Sequence, residues 1–119
     1  CEYIGTNLRF VDQVALMGLE TVGFARANLD SLWVDPYDYK DTLSSACDML
    51  SQYGVPTNIF NLQKCVINSK DWVYQVKSIS DWKNDYLDEC AKCAERRDCG
   101  GLFSSNVLYK HSDHIVAIN

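Results

Sequence analysis

The sequence predicts an α/β fold, and three observations carry that expectation. Residues 13–17, Gln-Val-Ala-Leu-Met, form a short apolar run of the kind that suits a strand buried on both faces of a parallel sheet. Asp35-Pro36 then opens a stretch in which Tyr39, Leu43, Ala46, Leu50 and Tyr53 recur at helical spacing and make one apolar face. Residues 55–67 form a second apolar run, with Ile59, Phe60, Leu62, Cys65, Val66 and Ile67. Strand, helix and strand in that order make a βαβ unit, whose crossover is right-handed.

The elements follow in chain order. Gly18-Leu19-Glu20 ends the first strand. Residues 21–34 mix Gly, Asn, Asp and aromatics, which reads as a long loop with one turn of helix. Asp35 is a good N-cap, Pro36 suits the first helical position, and Asp38 adds negative charge to the first turn. Gly54 suits the position just past the helix and Pro56 bars its continuation. Cys47 lies beside the apolar stripe and reads as a small buried hydrophobe. Ser69 is placed to cap a second helix with Trp72, Val76, Ile79 and Trp82 as its apolar set, ending near Asn84. Residues 88–101 read as a cysteine-rich loop, and residues 115–118, Ile-Val-Ala-Ile, as a short strand in an otherwise mixed tail.

Composition narrows the function classes. The chain has 119 residues, a formal net charge of −5, 47% hydrophobic residues and 23% charged ones. That suits a globular domain rather than a disordered or coiled-coil chain. The acidic balance argues against nonspecific binding of nucleic acid. No apolar run approaches the roughly 20 residues of a membrane-spanning helix, so no membrane partner is expected. There is no Ser/His/Asp signature and no glycine-rich phosphate loop. The chain begins at Cys1, and two strands are too few for a parallel sheet covered on both faces. The expectation is a piece of a longer polypeptide, or a sheet completed by a second copy.

Six cysteines are the main chemical signal. Cys90-Ala91-Lys92-Cys93 is a C-x2-C turn, and Cys99 follows after five residues, with Gly100-Gly101 next. Such crowding suits a metal or cluster, because thiolates must converge on one centre. The glycines let the backbone bend around the third sulfur and bring N–H groups to it. Lys92, Arg96 and Arg97 supply positive charge that favours thiolates. Cys65 lies well upstream, at the end of the second apolar run, and is the best fourth ligand, because open α/β sheets place ligands at strand ends. Zinc usually takes two paired knuckles and here there is one, so four cysteines at irregular spacing suit an iron–sulfur cluster at least as well. His111 or His114 is an alternative to Cys65.

These residues resemble the C-terminal part of radical S-adenosylmethionine (SAM) enzymes, and among them the peptide maturases of the His-Xaa-Ser system. The resembling stretches are Met17-Gly18-Leu19-Glu20, Gly23-Phe24-Ala25-Arg26-Ala27-Asn28, Leu32-Trp33-Val34-Asp35-Pro36 and residues 61–66. They continue through residues 78–84 into Tyr86-Leu87 and Glu89-Cys90, and end at Cys99-Gly100-Gly101-Leu102-Phe103. The resemblance implies late strands of a partial (β/α) barrel with their crossover helix at 1–68, then a helix, an auxiliary-cluster segment and a tail at 69–119. It implies a [4Fe–4S] cluster on Cys65, Cys90, Cys93 and Cys99, with zinc able to replace it in an isolated fragment. It also implies that Glu20, Arg26 and Asn61 stand near SAM in the intact enzyme. The family's C-x3-C-x2-C loop is absent, and position 103 is Phe where longer auxiliary motifs have a further Cys.

The expected function is therefore the auxiliary-cluster portion of a cytoplasmic enzyme that modifies a ribosomally made peptide, without catalysis by this chain alone. The expected partners are the N-terminal remainder of that enzyme, its substrate peptide and a second copy of the fragment. A stand-alone structural zinc domain and a secreted or lipidated disulfide-bonded domain are the alternatives. The acidic residues Asp81, Asp85, Asp88 and Glu89 read as a solvated face rather than paired catalytic carboxylates.

Overall fold

The computed structural model describes residues 1–119, the side chain of Asp81 excepted. The chain is α/β. Helix α1 (Glu2–Asn7) leads to strand β1 (Val14–Met17), short helices α2 (Gly23–Ala27) and α3 (Leu29–Leu32), and the long helix α4 (Pro36–Gln52). Strand β2 (Thr57–Phe60) follows, and α5 (Ser104–Leu108) is the last regular helix.

The βαβ unit forms as expected. β1 and β2 pair in parallel, with Val14 opposite Thr57 and Met17 opposite Phe60. Val14 N–H donates to the Pro56 carbonyl at 2.9 Å and Gly18 N–H to that of Phe60 at 3.0 Å, closing both ends of the ladder. The connecting helix α4 begins where its sequence signals place it. The Asp35 carboxylate accepts the Tyr37 N–H at 2.9 Å, and Pro36 occupies the first turn. Gly54 takes φ 71°, the left-handed conformation that ends helices and that glycine adopts without a Cβ penalty.

The buried face of α4 carries Leu43, Cys47 and Leu50. With Ile59, Leu62, Val66, Ile67, Leu102 and Ile115 it makes the apolar interior, drawn from both halves of the chain. Asp71 is buried there too and accepts the Ser44 hydroxyl of α4. Helix α1 has no signal in the sequence reading. It lies against the end of α4 at Gly5, where an added Cβ would collide with the Tyr53 ring.

Three expectations need correction. The second strand ends at Phe60 instead of running through residues 55–67. Asn61 takes φ 53°, which turns the chain out of the extended direction, and Lys64–Val66 is a 3₁₀ turn. Leu62 and Val66 reach the interior from that turn rather than from a strand. The helix expected at residues 69–84 is instead two 3₁₀ segments, Ser69–Tyr74 and Asp81–Lys83. Between them Gln75 pairs alongside Ile59, and Val76 N–H donates to the Ile59 carbonyl at 3.0 Å. The apolar set expected for that helix is not a buried face, since Ile79 and Trp82 are exposed. Residues 115–118 form no strand, although the Ile118 carbonyl accepts the Ala94 N–H at 2.8 Å. The reading of Asp81 as part of a solvated acidic face falls on a side chain outside the described residues.

Candidate metal centre

Four cysteines from three stretches of chain meet at one pocket. Cys65 comes from the 3₁₀ turn after β2, and Cys90 from the 3₁₀ segment Asp88–Lys92. Cys93 stands just past that segment, and Cys99 precedes Gly100-Gly101. All four line one small pocket. Gln63, Lys64, Tyr86, Glu95, Arg96, Val116 and Ile118 complete much of its wall. None of the six cysteines is disulfide-bonded, and Cys1 and Cys47 lie away from this pocket.

The electrostatics place the sulfurs within each other's field. Burial pushes the Cys65 thiol up, Cys99 and Cys90 add to this as like charges, and the Val116 amide works the other way. Burial also raises Cys90, opposed by the Leu87 backbone amide, with Cys99, Cys93 and Glu89 adding to the rise. Metal-free, these two sites favour the neutral thiol. A metal must displace protons to bind, so its affinity should climb with pH.

The loop is held by neighbours that the spacing of cysteines does not reveal. The Gln63 side-chain amide donates to the Gly101 carbonyl at 2.8 Å, and Tyr86 donates its hydroxyl to the Cys99 carbonyl at 2.9 Å. The Gly100 N–H donates to the Gln75 side chain at 3.1 Å, while that side chain donates to the Leu62 carbonyl. Gly101 takes φ 65°, and a Cβ there would fall 2.5 Å from the Asp85 carbonyl oxygen. Lys64 is buried and pairs with Glu95 at 2.7 Å. Arg96 lies over the Tyr86 ring, 5.0 Å from its centroid. Arg96 stands out in the sequence as a charge among the cysteines. Lys64, Gln63, Gln75 and Tyr86 do not, because ordinary polar residues carry no motif.

Among the described residues, no three His, Cys, Asp or Glu side chains stand tightly enough to hold one ion. A tetrahedral zinc site needs every sulfur about 2.3 Å from one point. An iron–sulfur cube places sulfides between its irons and so spreads its thiolates wider. Four thiols lining one pocket are a donor set that both kinds of centre use. His111 and His114 do not line this pocket; His114 pairs with Asp35 at 3.5 Å.

Glu20, Arg26 and Asn61 are not gathered in one cavity. Glu20 pairs with Lys83 at 3.9 Å, and Arg26 lies over the Tyr109 ring at 3.8 Å. Asn61 lines a separate pocket with Gly18, Leu19, Trp33 and His111, and neither Glu20 nor Arg26 lines it. The Asn61 amide faces inward, donating to Gly18 and Asn106 and accepting from Phe103. Comparison of the chain with known protein families, curated proteins and solved structures gives no match. Among the described residues no helix is long and apolar enough to cross a membrane.

Proposed function

We propose that this chain is the C-terminal, auxiliary-cluster portion of a radical SAM enzyme that matures a ribosomally made peptide. The observation that supports it most is the meeting of Cys65 with Cys90, Cys93 and Cys99 at one pocket. Cys65 lies far from the others in sequence, and only the turn after β2 brings it there. Four thiolates hold a [4Fe–4S] cluster without leaving an iron open, which suits binding and electron transfer rather than SAM cleavage. When bound, the cluster supplies an electron-accepting and -donating centre. The chain's own residues do the rest: Gly100-Gly101 bend the backbone, and Lys64 and Arg96 offset negative charge at the pocket wall.

A second reading, a structural zinc domain, uses the same four thiolates. The irregular spacing, with one C-x2-C turn and a remote Cys65, favours the cluster over it. In the first reading β1 and the open face around α2 and α3 are where further strands of a partial barrel and the rest of an enzyme would lie. Phe24 and Leu32 are exposed there.

The test is anaerobic reconstitution of the chain with iron and sulfide. About four irons and four sulfides per chain are expected. Cys65→Ser, Cys90→Ser, Cys93→Ser and Cys99→Ser should each lower that content, and Cys47→Ser should not. Zinc bound with no uptake of iron and sulfide would favour the second reading. No metal at all, with the thiols paired as disulfides in native protein, would refute both. The loaded chain alone should form no 5′-deoxyadenosine from SAM.

A further inference from the structure

One wall of the four-thiol pocket is supplied by neither helix nor strand. After α5 the chain runs to Asn119 without regular structure, and Val116 and Ile118 line the pocket. The Val116 backbone lies near enough to the Cys65 sulfur to oppose the upward push of burial on that thiol. The Ile118 N–H donates to Cys93 Sγ at 3.4 Å, and its carbonyl accepts the Ala94 N–H at 2.8 Å. Ile115, just before them, is buried in the core.

The other end of this segment is tied to one carboxylate. Asp35 Oδ2 accepts the Asp113 N–H at 3.4 Å and faces His114 Nδ1 at 3.5 Å. The Ser112 hydroxyl lies near the Asp35 carboxylate and helps to hold its pKa down. His114 stacks on Tyr37, ring centroids 4.0 Å apart and planes 6° from parallel. Asp35 is at the same time the N-cap of α4 through Oδ1.

We infer that residues 112–118 are a strap that closes over the sulfurs, and that Asp35 is the positioning residue that holds it. The inference rests on reading the pocket as a thiolate site and adds its regulation. With the strap in place, the Ile118 N–H meets the Cys93 sulfur and Val116 and Ile118 cover one side of the pocket. The strap also bars solvent and oxidants from Cys65 and Cys93. Released, it opens the path by which metal enters or leaves.

The strap can be tested on the reduced, metal-free chain by a pulse of iodoacetamide, with each cysteine followed by mass spectrometry. One variant ends at Ser112. The other is Asp35→Ser, which keeps a good N-cap for α4 but removes the carboxylate from Ser112, Asp113 and His114. In both, Cys65 and Cys93 should be alkylated about tenfold faster, the scale of a lost local closure. Cys47 should stay protected, which reports an intact core. Unchanged rates at Cys65 and Cys93, or a rise that includes Cys47 in both variants, would overturn the strap. The expected pattern in a chain that takes up neither iron with sulfide nor Co²⁺ would keep the strap and refute the metal-site reading instead.

Discussion

At Asn61 the backbone takes φ 53° and one side chain ties the end of β1 to the start of α5. Its amide donates to the Gly18 carbonyl at 3.1 Å and to Asn106 at 3.0 Å, and its oxygen accepts the Phe103 N–H at 3.0 Å. Asn tolerates the left-handed region better than other side chains, and a buried amide group left without a partner is costly. Asn61→Ala should therefore lower stability by about 3 kcal/mol, read from the denaturant midpoint. A loss below about 1 kcal/mol would mean that the network is not holding the strand ends. Cys47 makes a different residue-level prediction. Its thiol is pushed up from 9.0 to about 11, by burial first and by Asp71 and Asp48 after it, with Lys70 opposing. The folded state thus prefers the neutral thiol. Below pH 9 both states hold the proton and stability is undiminished; above it the unfolded thiol ionises first, and the folded state loses ground as pH rises from about 9 to about 11. Cys47→Ala should remove that alkaline decline from a stability-against-pH curve.

Among the elements, α4 was the most legible, because each of its signals is local. Asp35, Pro36 and Gly54 act on the backbone within one turn, and the stripe of Leu43 and Leu50 needs only a helix of ordinary pitch. The strand after it was legible only in part. Apolar residues 62–67 look the same in sequence whether a strand or a turn brings them inside, and the φ of Asn61 decides between these. The failed helix at residues 69–84 shows the same limit: its spacing was helical, but Gln75 and Val76 run beside Ile59 instead. The candidate site was legible in its donors, since C-x2-C-x5-C is a local pattern. Its supports were not, because Gln63, Tyr86 and the strap reach it only through the fold. The cap of α4 carries a prediction of its own. Burial raises the Asp35 carboxyl, but the Ser112 hydroxyl, the Tyr37 and Asp113 amides and His114 together hold it below its usual 3.8. Its contribution is complete above pH 3.8 and is lost as pH falls through the lower folded value. Asp35→Ala should cost about 1 kcal/mol at neutral pH and less in acid, by urea unfolding.

On the scale of the molecule, the sheet is small for the surface it leaves open. The accessible area is 7223 Å², against about 6,500 Å² for a compact monomer of this mass. The radius of gyration is 14.5 Å, against about 13.5 Å expected for this length. Part of the excess lies along β1, where Met17 is 53% exposed. Val14 and Gly18 aim their N–H groups at β2, so by the alternation of a strand Ala15 and Met17 aim theirs at the other edge. Among the described residues no strand pairs with that edge. An open strand edge is a template for another strand. In the proposed enzyme a neighbouring barrel strand would fill it; in the isolated chain a second copy can. Light scattering against concentration should show self-association of the isolated chain. Ala15→Pro removes one donor from the open edge and leaves the bonds from Val14 and Gly18 to β2 in place, and Met17→Lys sets a charge beside it. Each should weaken the association about tenfold or more, the scale of one lost edge contact. A chain that stays monomeric at high concentration, or variants that associate as strongly as the parent, would show that β1 is not the contact.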